Sequence, residues 1–256
     1  MFRVLCTLCL FCGFPALAEI PKTLAQAEVA PGWRDGSTHI AGITLRMAPG
    51  WHTYWRTPGA VGIPPSFNWS GSQNVSDVSV RFPVPEVYDD DGTQSLVYFD
   101  EVMLPVVIKV GQSEQPVRLR GEIEIGVCEE ICVPVTLRVD ATLDATGGRD
   151  RRISNAMANV PETGQPMTCK IKPIVDGVSV SATTAMPRVS GNLVAVLETS
   201  NPTVWVSPPT LQQVGNRLTA TVDMVPPNAK PFALARSDVR MTIFADGRAI
   251  EMIGCN

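Results

Sequence analysis

The sequence has little positive charge and very little histidine. Its 21 lysines and arginines are outnumbered by 25 aspartates and glutamates, and the formal net charge is −4 at pH 7. A surface that binds nucleic acid needs a basic excess, so the composition argues against nucleic acid as a partner. With only 2 histidines, a structural zinc site of four ligands would depend mainly on cysteine.

Long hydrophobic runs are also missing, apart from one at the N-terminus. Residues 4–14 form an apolar run that is too short to span a bilayer. Arg3 precedes the run, and Ala16-Leu17-Ala18 follows it as a small-x-small cleavage site. We therefore predict a secretory signal peptide at residues 1–18 and a mature protein with no transmembrane segment of its own. The signal and the acidity favour the bacterial periplasm, an oxidising compartment in which disulfides persist.

Most of the mature chain alternates between apolar and polar residues. Ile43, Leu45 and Met47 alternate with polar neighbours, and similar runs occur at residues 78–82, 104–110, 133–139, 218–224 and 239–243. A period of two is typical of strands with one buried face. Turn residues such as Pro49-Gly50 and Asp91-Gly92 separate the runs. The pattern predicts an all-β sandwich fold.

The alternation stops near residue 145. Thr146-Gly147-Gly148 breaks the pattern, Asp150 is a candidate helix N-cap, and Ile153 and Met157 share one helical face. We predict two sandwich domains, at residues 19–145 and 166–256, joined by a linker at residues 146–165 that contains a short helix. A single continuous domain is the alternative.

The sequence contains 7 cysteines, which fall into three groups. Cleavage of the signal peptide removes Cys6, Cys9 and Cys12, and the mature protein keeps Cys128, Cys132, Cys169 and Cys255. A bridge between Cys169 and Cys255 closes a loop of about 87 residues. The loss of chain entropy in the unfolded state then stabilises the fold by about 4.6 kcal/mol. Cys169 and Cys255 are therefore predicted to form a structural disulfide that ties the ends of the second domain.

Cys128 and Cys132 are separated by only three residues. A bridge between them closes about five residues and contributes about 2 kcal/mol. Two cysteines this close suit an exchange reaction, in which a thiolate attacks a disulfide and the neighbouring thiol resolves the mixed disulfide. We predict that this pair carries the chemistry. The alternative is a minor structural disulfide in an adhesion or interaction module.

Glu129 and Glu130 lie between these cysteines. Negative charge disfavours a nearby thiolate and raises its pKa, which suits a pair that reacts only with a docked partner. Binding of copper(I) is the competing use of the cysteine pair, since soft thiolates select this ion. His52, in the aromatic segment 51–55, is the candidate third ligand. The alternative for His52 is a packed residue on an aromatic strand. Exchange chemistry itself requires no cofactor.

Three segments carry a family resemblance. Residues 49–59 (PGWHTYWRTPG), 100–106 (DEVMLPV) and 126–134 (GVCEEICVP) resemble the N-terminal periplasmic domain of the DsbD family of thiol:disulfide interchange proteins. The closer branch is the ScsB type, the copper-sensitivity suppressors. The resemblance covers residues 30–140, and the second half is similar, less specifically, to an additional sandwich domain of that branch.

The resemblance implies an immunoglobulin-like sandwich with a redox-active cysteine pair. Cys132 would be the attacking thiol and Cys128 the resolving one. The tyrosines that flank the cysteines in this family fall near His52 and Tyr54. The family also shields its cysteines with a cap loop that bears an aromatic residue.

The segment that matches the cap loop is residues 88–92, in which Tyr88 is the aromatic candidate, with Tyr98 as the alternative. The polytopic membrane domain and the C-terminal thioredoxin-like domain of the family have no counterpart in this sequence. The resemblance therefore implies a separately encoded membrane thiol reductase and periplasmic thioredoxin-fold proteins as partners. The implied activity is electron relay by protein-disulfide-reductase-type exchange.

Overall fold

The computed structural model describes residues 23–59, 61–186, 193–245 and 247–256. The predicted signal peptide at residues 1–18 lies outside these ranges. Among the helices of the described residues, none combines the length and the apolar character needed to cross a membrane.

Antiparallel strands make up the first half of the chain. They are β1 (Ala25–Asp35), β2 (Thr38–Met47), β3 (His52–Gly59), β4 (Ser66–Asn68), β5 (Val75–Val80), β6 (Glu86–Asp90), β7 (Thr93–Phe99), β8 (Glu101–Val110), β9 (Val117–Cys128) and β10 (Cys132–Leu143). One sheet has the order β1-β2-β8-β5, and the other has the order β10-β9-β3-β7-β6, with β4 paired to β9. The two sheets enclose a common hydrophobic core.

The predicted alternation fixes which side of each strand enters this core. On β10, Leu137, Val139 and Leu143 are buried, whereas Arg138, Asp140 and Thr142 between them are exposed. A side-chain period of two places these two sets on opposite faces of the strand. The apolar residues of the period-two alternation therefore supply most of the first core.

A helix covers the other face of β2. Helix α1 (Arg151–Ala158) begins after Asp150, whose side chain accepts a hydrogen bond from the backbone N–H of Arg152. The helix packs so closely that a Cβ at Gly42 would lie 2.8 Å from Cγ1 of Ile153. Thr44, which the alternation assigns to a polar face, is only 2% exposed, and its hydroxyl lies 3.9 Å from the Sδ of Met103 on β8.

Short strands also build the second half. They are β11 (Glu162–Thr163), β12 (Thr168–Ile174), β13 (Gly177–Ala185), β14 (Val194–Glu198), β15 (Trp205–Val206), β16 (Thr210–Val214), β17 (Arg217–Val225), β18 (Arg240–Ala245) and β19 (Arg248–Ile253). One sheet has the order β11-β19-β18-β14, and the other has the order β12-β13-β17-β15, with β16 paired to β17. The predicted fold class is confirmed: two immunoglobulin-like β-sandwich domains are joined by a short linker helix.

A disulfide joins Cys169, at the start of β12, to Cys255, just after β19. The same corner is held by Arg236, whose guanidinium donates to the carbonyl oxygens of Cys169 at 2.8 Å and Asn256 at 2.9 Å. The bond therefore links the two sheets of the second domain where its first long strand and its last strand meet. The domain limits at residues 19–145 and 166–256 remain a prediction.

The two domains share a continuous apolar contact centred on β3. Trp55 is fully buried and packs edge-to-face on Phe244 of β18, with 5.2 Å between the ring centroids. Val194 and Val196 of β14 belong to the same buried cluster. The second domain therefore packs directly on the strand that also carries the predicted site residues His52 and Tyr54.

Candidate functional site

The cysteine pair lies at the tip of the β9–β10 hairpin. The antiparallel register pairs Cys128 with Cys132 and continues without a shift to Val117 and Leu143. The two Cα atoms are 4.2 Å apart and the two sulfur atoms are bonded. Because the hairpin already brings the two residues together, the bond adds little to the fold, and it can open without rearranging the sheets.

The two cysteines differ sharply in exposure. Cys128 is 1% exposed and packs with Tyr54 and Val97, whereas Cys132 is exposed. Cys132 is therefore the accessible residue of the pair, and Cys128 is enclosed. This asymmetry favours Cys132 as the sulfur that exchanges with a partner and Cys128 as the one that resolves.

Tyr54 supplies the polar contact to the exposed sulfur. Its side chain is 4% exposed, and its hydroxyl lies 3.4 Å from the Sγ of Cys132. A disulfide sulfur has no hydrogen, so the hydroxyl is the donor. Burial raises the pKa of Tyr54, so the phenol keeps its proton at neutral pH. A donor at this place stabilises negative charge on the sulfur when the bond opens.

A close approach of the chain at Gly62 fixes the ring of Tyr54. Gly62 has a φ of +118°, and a Cβ at this residue would lie 2.4 Å from Cε1 of Tyr54. Any side chain here would displace the ring from its place beside the cysteine pair. The next residue, Ile63, makes a similar close contact with Gly126. The loop between β3 and β4 therefore packs directly against the ring of Tyr54.

His52 lies beside the buried cysteine and is packed among aromatic rings. It pairs with Cys128 in the register of β3 and β9. Its ring is 5.3 Å from the rings of Tyr54 and Phe99 and 5.8 Å from that of Tyr88. Burial lowers the pKa of His52, so the imidazole is neutral at pH 7. His52 therefore contributes packing here rather than a positive charge for a thiolate.

Tyr88 is the aromatic residue that reaches the site from the predicted cap segment. It is 38% exposed on β6 and packs edge-to-face on Phe99, with 5.4 Å between the centroids. The alternative prediction, that Tyr98 is the aromatic residue of the cap segment, was wrong. Tyr98 is buried in the first core, and its hydroxyl donates to the carbonyl oxygen of Pro83 at 2.6 Å. Phe99, which sequence reasoning missed, faces the site because it is opposite His52 in the register.

The rim of the site is acidic. Glu129 and Glu130 are exposed in the turn between the cysteines, and Glu86 and Asp89–Asp91 are exposed around Tyr88. Residues 86–92 and 126–134 contain no lysine, arginine or histidine. These two segments therefore provide no cation for a thiolate, and the hydroxyl of Tyr54 is the donor that the geometry supplies. Within the described ranges, no group of three or more His, Cys, Asp and Glu side chains is placed to hold a metal ion.

The fold and the site define an immunoglobulin-like module with a cross-strand disulfide whose one sulfur is open to other proteins. Residues 21–144 match the family model described as thiol:disulfide interchange protein DsbD, N-terminal. This part of the chain belongs to that family. No curated protein matches the sequence.

Two solved structures align with most of the chain. The crystal structure of the N-terminal periplasmic domain of ScsB from Proteus mirabilis is 22% identical, with a TM-score of 0.64, and the match covers 93% of this chain and 97% of that one. At this identity the likeness shows a shared fold. A marsupial T cell receptor is 12% identical over 92% of this chain and 97% of its own, but its TM-score of 0.18 supports no structural argument.

Proposed function

We propose that the protein is a periplasmic thiol–disulfide exchange module that relays electrons between a separately encoded membrane thiol reductase and periplasmic thioredoxin-fold proteins. The observation that carries the proposal is the pairing of exposed Cys132 with buried Cys128 at a hairpin tip of a DsbD-family domain. The predicted signal peptide supports the compartment, and the family supports the class of partner.

The exchange proceeds in two balanced steps. In the reduced protein, the Cys132 thiolate attacks one sulfur of a partner disulfide, so that a mixed disulfide forms and the released partner sulfur takes up a proton. Cys128 then loses its proton and attacks the Sγ of Cys132. This restores the observed Cys128–Cys132 bond and releases the second partner sulfur, which is also protonated. The chain loses two electrons and two protons, and the membrane reductase restores them by the reverse sequence.

The surroundings of the pair make the reaction depend on docking. Glu129 and Glu130 disfavour the thiolate of Cys132 in the free protein, whereas Tyr54 donates a hydrogen bond to its sulfur. A bound partner that brings positive charge, or that excludes water, shifts this balance towards the thiolate. Exchange with a docked partner is therefore faster than reaction with small disulfides.

Trapping of a partner tests the proposal. In a Cys128→Ala variant, the Cys132 thiolate forms a mixed disulfide with an oxidised thioredoxin-fold protein, and no thiol remains to resolve it. The complex is expected on a non-reducing gel, and peptide mapping should place the bond at Cys132. The matched Cys132→Ala variant should fold normally and trap nothing. Trapping by both variants, or by neither, contradicts the proposed function.

Copper(I) binding is the second candidate function. The described residues hold no ready-made group of three such ligands, so this function requires that reduction of the disulfide lets both thiolates turn towards one ion. The imidazole of His52, which pairs with Cys128 in the register of β3 and β9, would be the third ligand. Metal analysis of the anaerobically reduced protein separates the two functions. Copper tolerance predicts one Cu(I) per chain that is lost in Cys128→Ser, whereas exchange alone predicts no stoichiometric copper.

A further inference from the structure

Strand β3 contacts both the cysteine pair and the second domain. Near its start, Thr53 donates to the carbonyl oxygen of Gly126 at 2.8 Å, and Tyr54 reaches Cys132. Further along the same strand, Trp55 and Arg56 leave the site and enter the contact with the second domain. A change in how the second domain holds this strand therefore acts on the position of Tyr54.

Arg56 makes the polar part of that contact. Its guanidinium binds the carboxylate of Glu198 with two nitrogens, at 3.0 and 2.9 Å, and its Nη2 also donates to Glu251 at 2.8 Å and to Thr242 at 3.1 Å. It stacks on the ring of Trp55, with 3.8 Å between Cζ and the ring centroid. The guanidinium thus joins β3 to three strands of the second domain.

This ion cluster is shielded from water. The side chains of Arg56 and Glu198 are each 16% exposed, and that of Glu251 is 17% exposed. Arg240 lies 3.6 Å from Glu251, so two arginines and two glutamates balance in charge. A shielded pair with several hydrogen bonds holds its geometry far more firmly than an exposed surface pair.

We propose that Arg56 is a positioning residue for the exchange reaction: by clamping β3 to the second domain, it holds the hydroxyl of Tyr54 against the sulfur of Cys132. This inference rests on the proposed function of the cysteine pair. The hydroxyl–sulfur distance of 3.4 Å leaves little slack, since a displacement of about 1 Å is enough to weaken a contact on which a reaction depends. The second domain is then part of the reactive unit rather than a passive appendage.

The test measures the thiol of Cys132 directly. The Cys128→Ser variant of residues 19–256 is exported to the oxidising periplasm, so that Cys169 and Cys255 are bonded and Cys132 is the free thiol. The rate of alkylation is followed from pH 5 to pH 10. Tyr54→Phe is expected to slow alkylation at pH 7 about tenfold, which corresponds to a hydrogen bond of about 1.4 kcal/mol to the thiolate.

Arg56→Lys is the decisive variant, because it keeps the charge and removes the planar fork. We expect it to shift the pH profile in the same direction as Tyr54→Phe and to slow alkylation at pH 7 by about threefold or more. In the double variant, the lysine should add nothing to the effect of Tyr54→Phe, because both changes remove one contact. Arg248→Lys is the matched control, since Arg248 pairs with Glu162 on an exposed edge of the second domain.

Three results would overturn the proposal: a wild-type profile for Arg56→Lys, an additive effect in the double variant, or no effect of Tyr54→Phe itself. If Arg56→Lys does not fold, Thr242→Val removes one bond of the clamp without any change in charge and is held to the same three outcomes. The readout does not depend on any partner. A failure of the positioning role is thus distinguishable from a failure of partner trapping, which would contradict the proposed function instead.

Discussion

The two disulfides are expected to contribute very differently to stability. The Cys169–Cys255 bond spans 86 positions of sequence and the Cys128–Cys132 bond spans 4. Loop-closure entropy then assigns about 4.6 kcal/mol to the first bond and about 2 kcal/mol to the second. Replacing Cys169 and Cys255 by alanine should therefore lower the free energy of unfolding by about 2.5 kcal/mol more than replacing Cys128 and Cys132.

Urea denaturation at pH 7, followed by tryptophan fluorescence and circular dichroism, measures both changes. An equal loss for the two double variants, or a larger loss for Cys128 and Cys132, would refute the division into a structural and an exchangeable bond. Reduction kinetics give a second readout of the same division. A mild dithiol should open the bond at exposed Cys132 first and the bond at Cys169, which is 6% exposed, only later.

Two further predictions concern the packing of the site and its dependence on pH. Gly62→Ala should lower the free energy of unfolding by about 3 kcal/mol through backbone strain and displacement of the Tyr54 ring. Gly215 also has a positive φ but is surrounded by open space, so Gly215→Ala should lower it by only about 1 kcal/mol. Equal losses for the two variants in urea denaturation would argue against close packing at Gly62. The second histidine, His39, is fully buried on β2. Burial lowers the pKa of His39 and of His52, so below the usual pKa of histidine, about 6.5, the unfolded chain binds more protons than the folded one. Stability should therefore fall as the pH drops from 7.5 towards 5.5, and less so in His39→Gln; a flat profile would contradict the buried neutral state.

The sequence alone predicts much of the fold because the relevant signals are local. A period of two identified the strand that contains Leu137 and Val139, and an N-cap followed by an apolar pair identified helix α1. The cysteine spacing indicated that Cys128 and Cys132 pair, because residues only a few positions apart meet wherever the chain folds back on itself. These signals need no knowledge of distant parts of the chain.

The rest depends on contacts between residues far apart in sequence. Thr44 is buried despite its polar side chain, and the Met103 that lies against its hydroxyl is 59 positions later in the chain. Tyr98 and Phe99 are neighbours, and only the register of β7 decides that Phe99 faces the site while Tyr98 enters the core. Arg56 has acidic partners 142 and 195 positions away, a pairing that no local pattern indicates.

The transfer of electrons from the reduced chain to a partner disulfide is the most direct test of the account. The fully reduced Cys128–Cys132 pair is mixed with an oxidised periplasmic thioredoxin-fold protein, and free thiols are then alkylated and located by mass spectrometry. We expect Cys128 and Cys132 to lose as many thiols as the partner gains, while the Cys169–Cys255 bond stays intact. If both thiols remain on the chain while a control dithiol reduces the same partner, the proposed exchange function is contradicted.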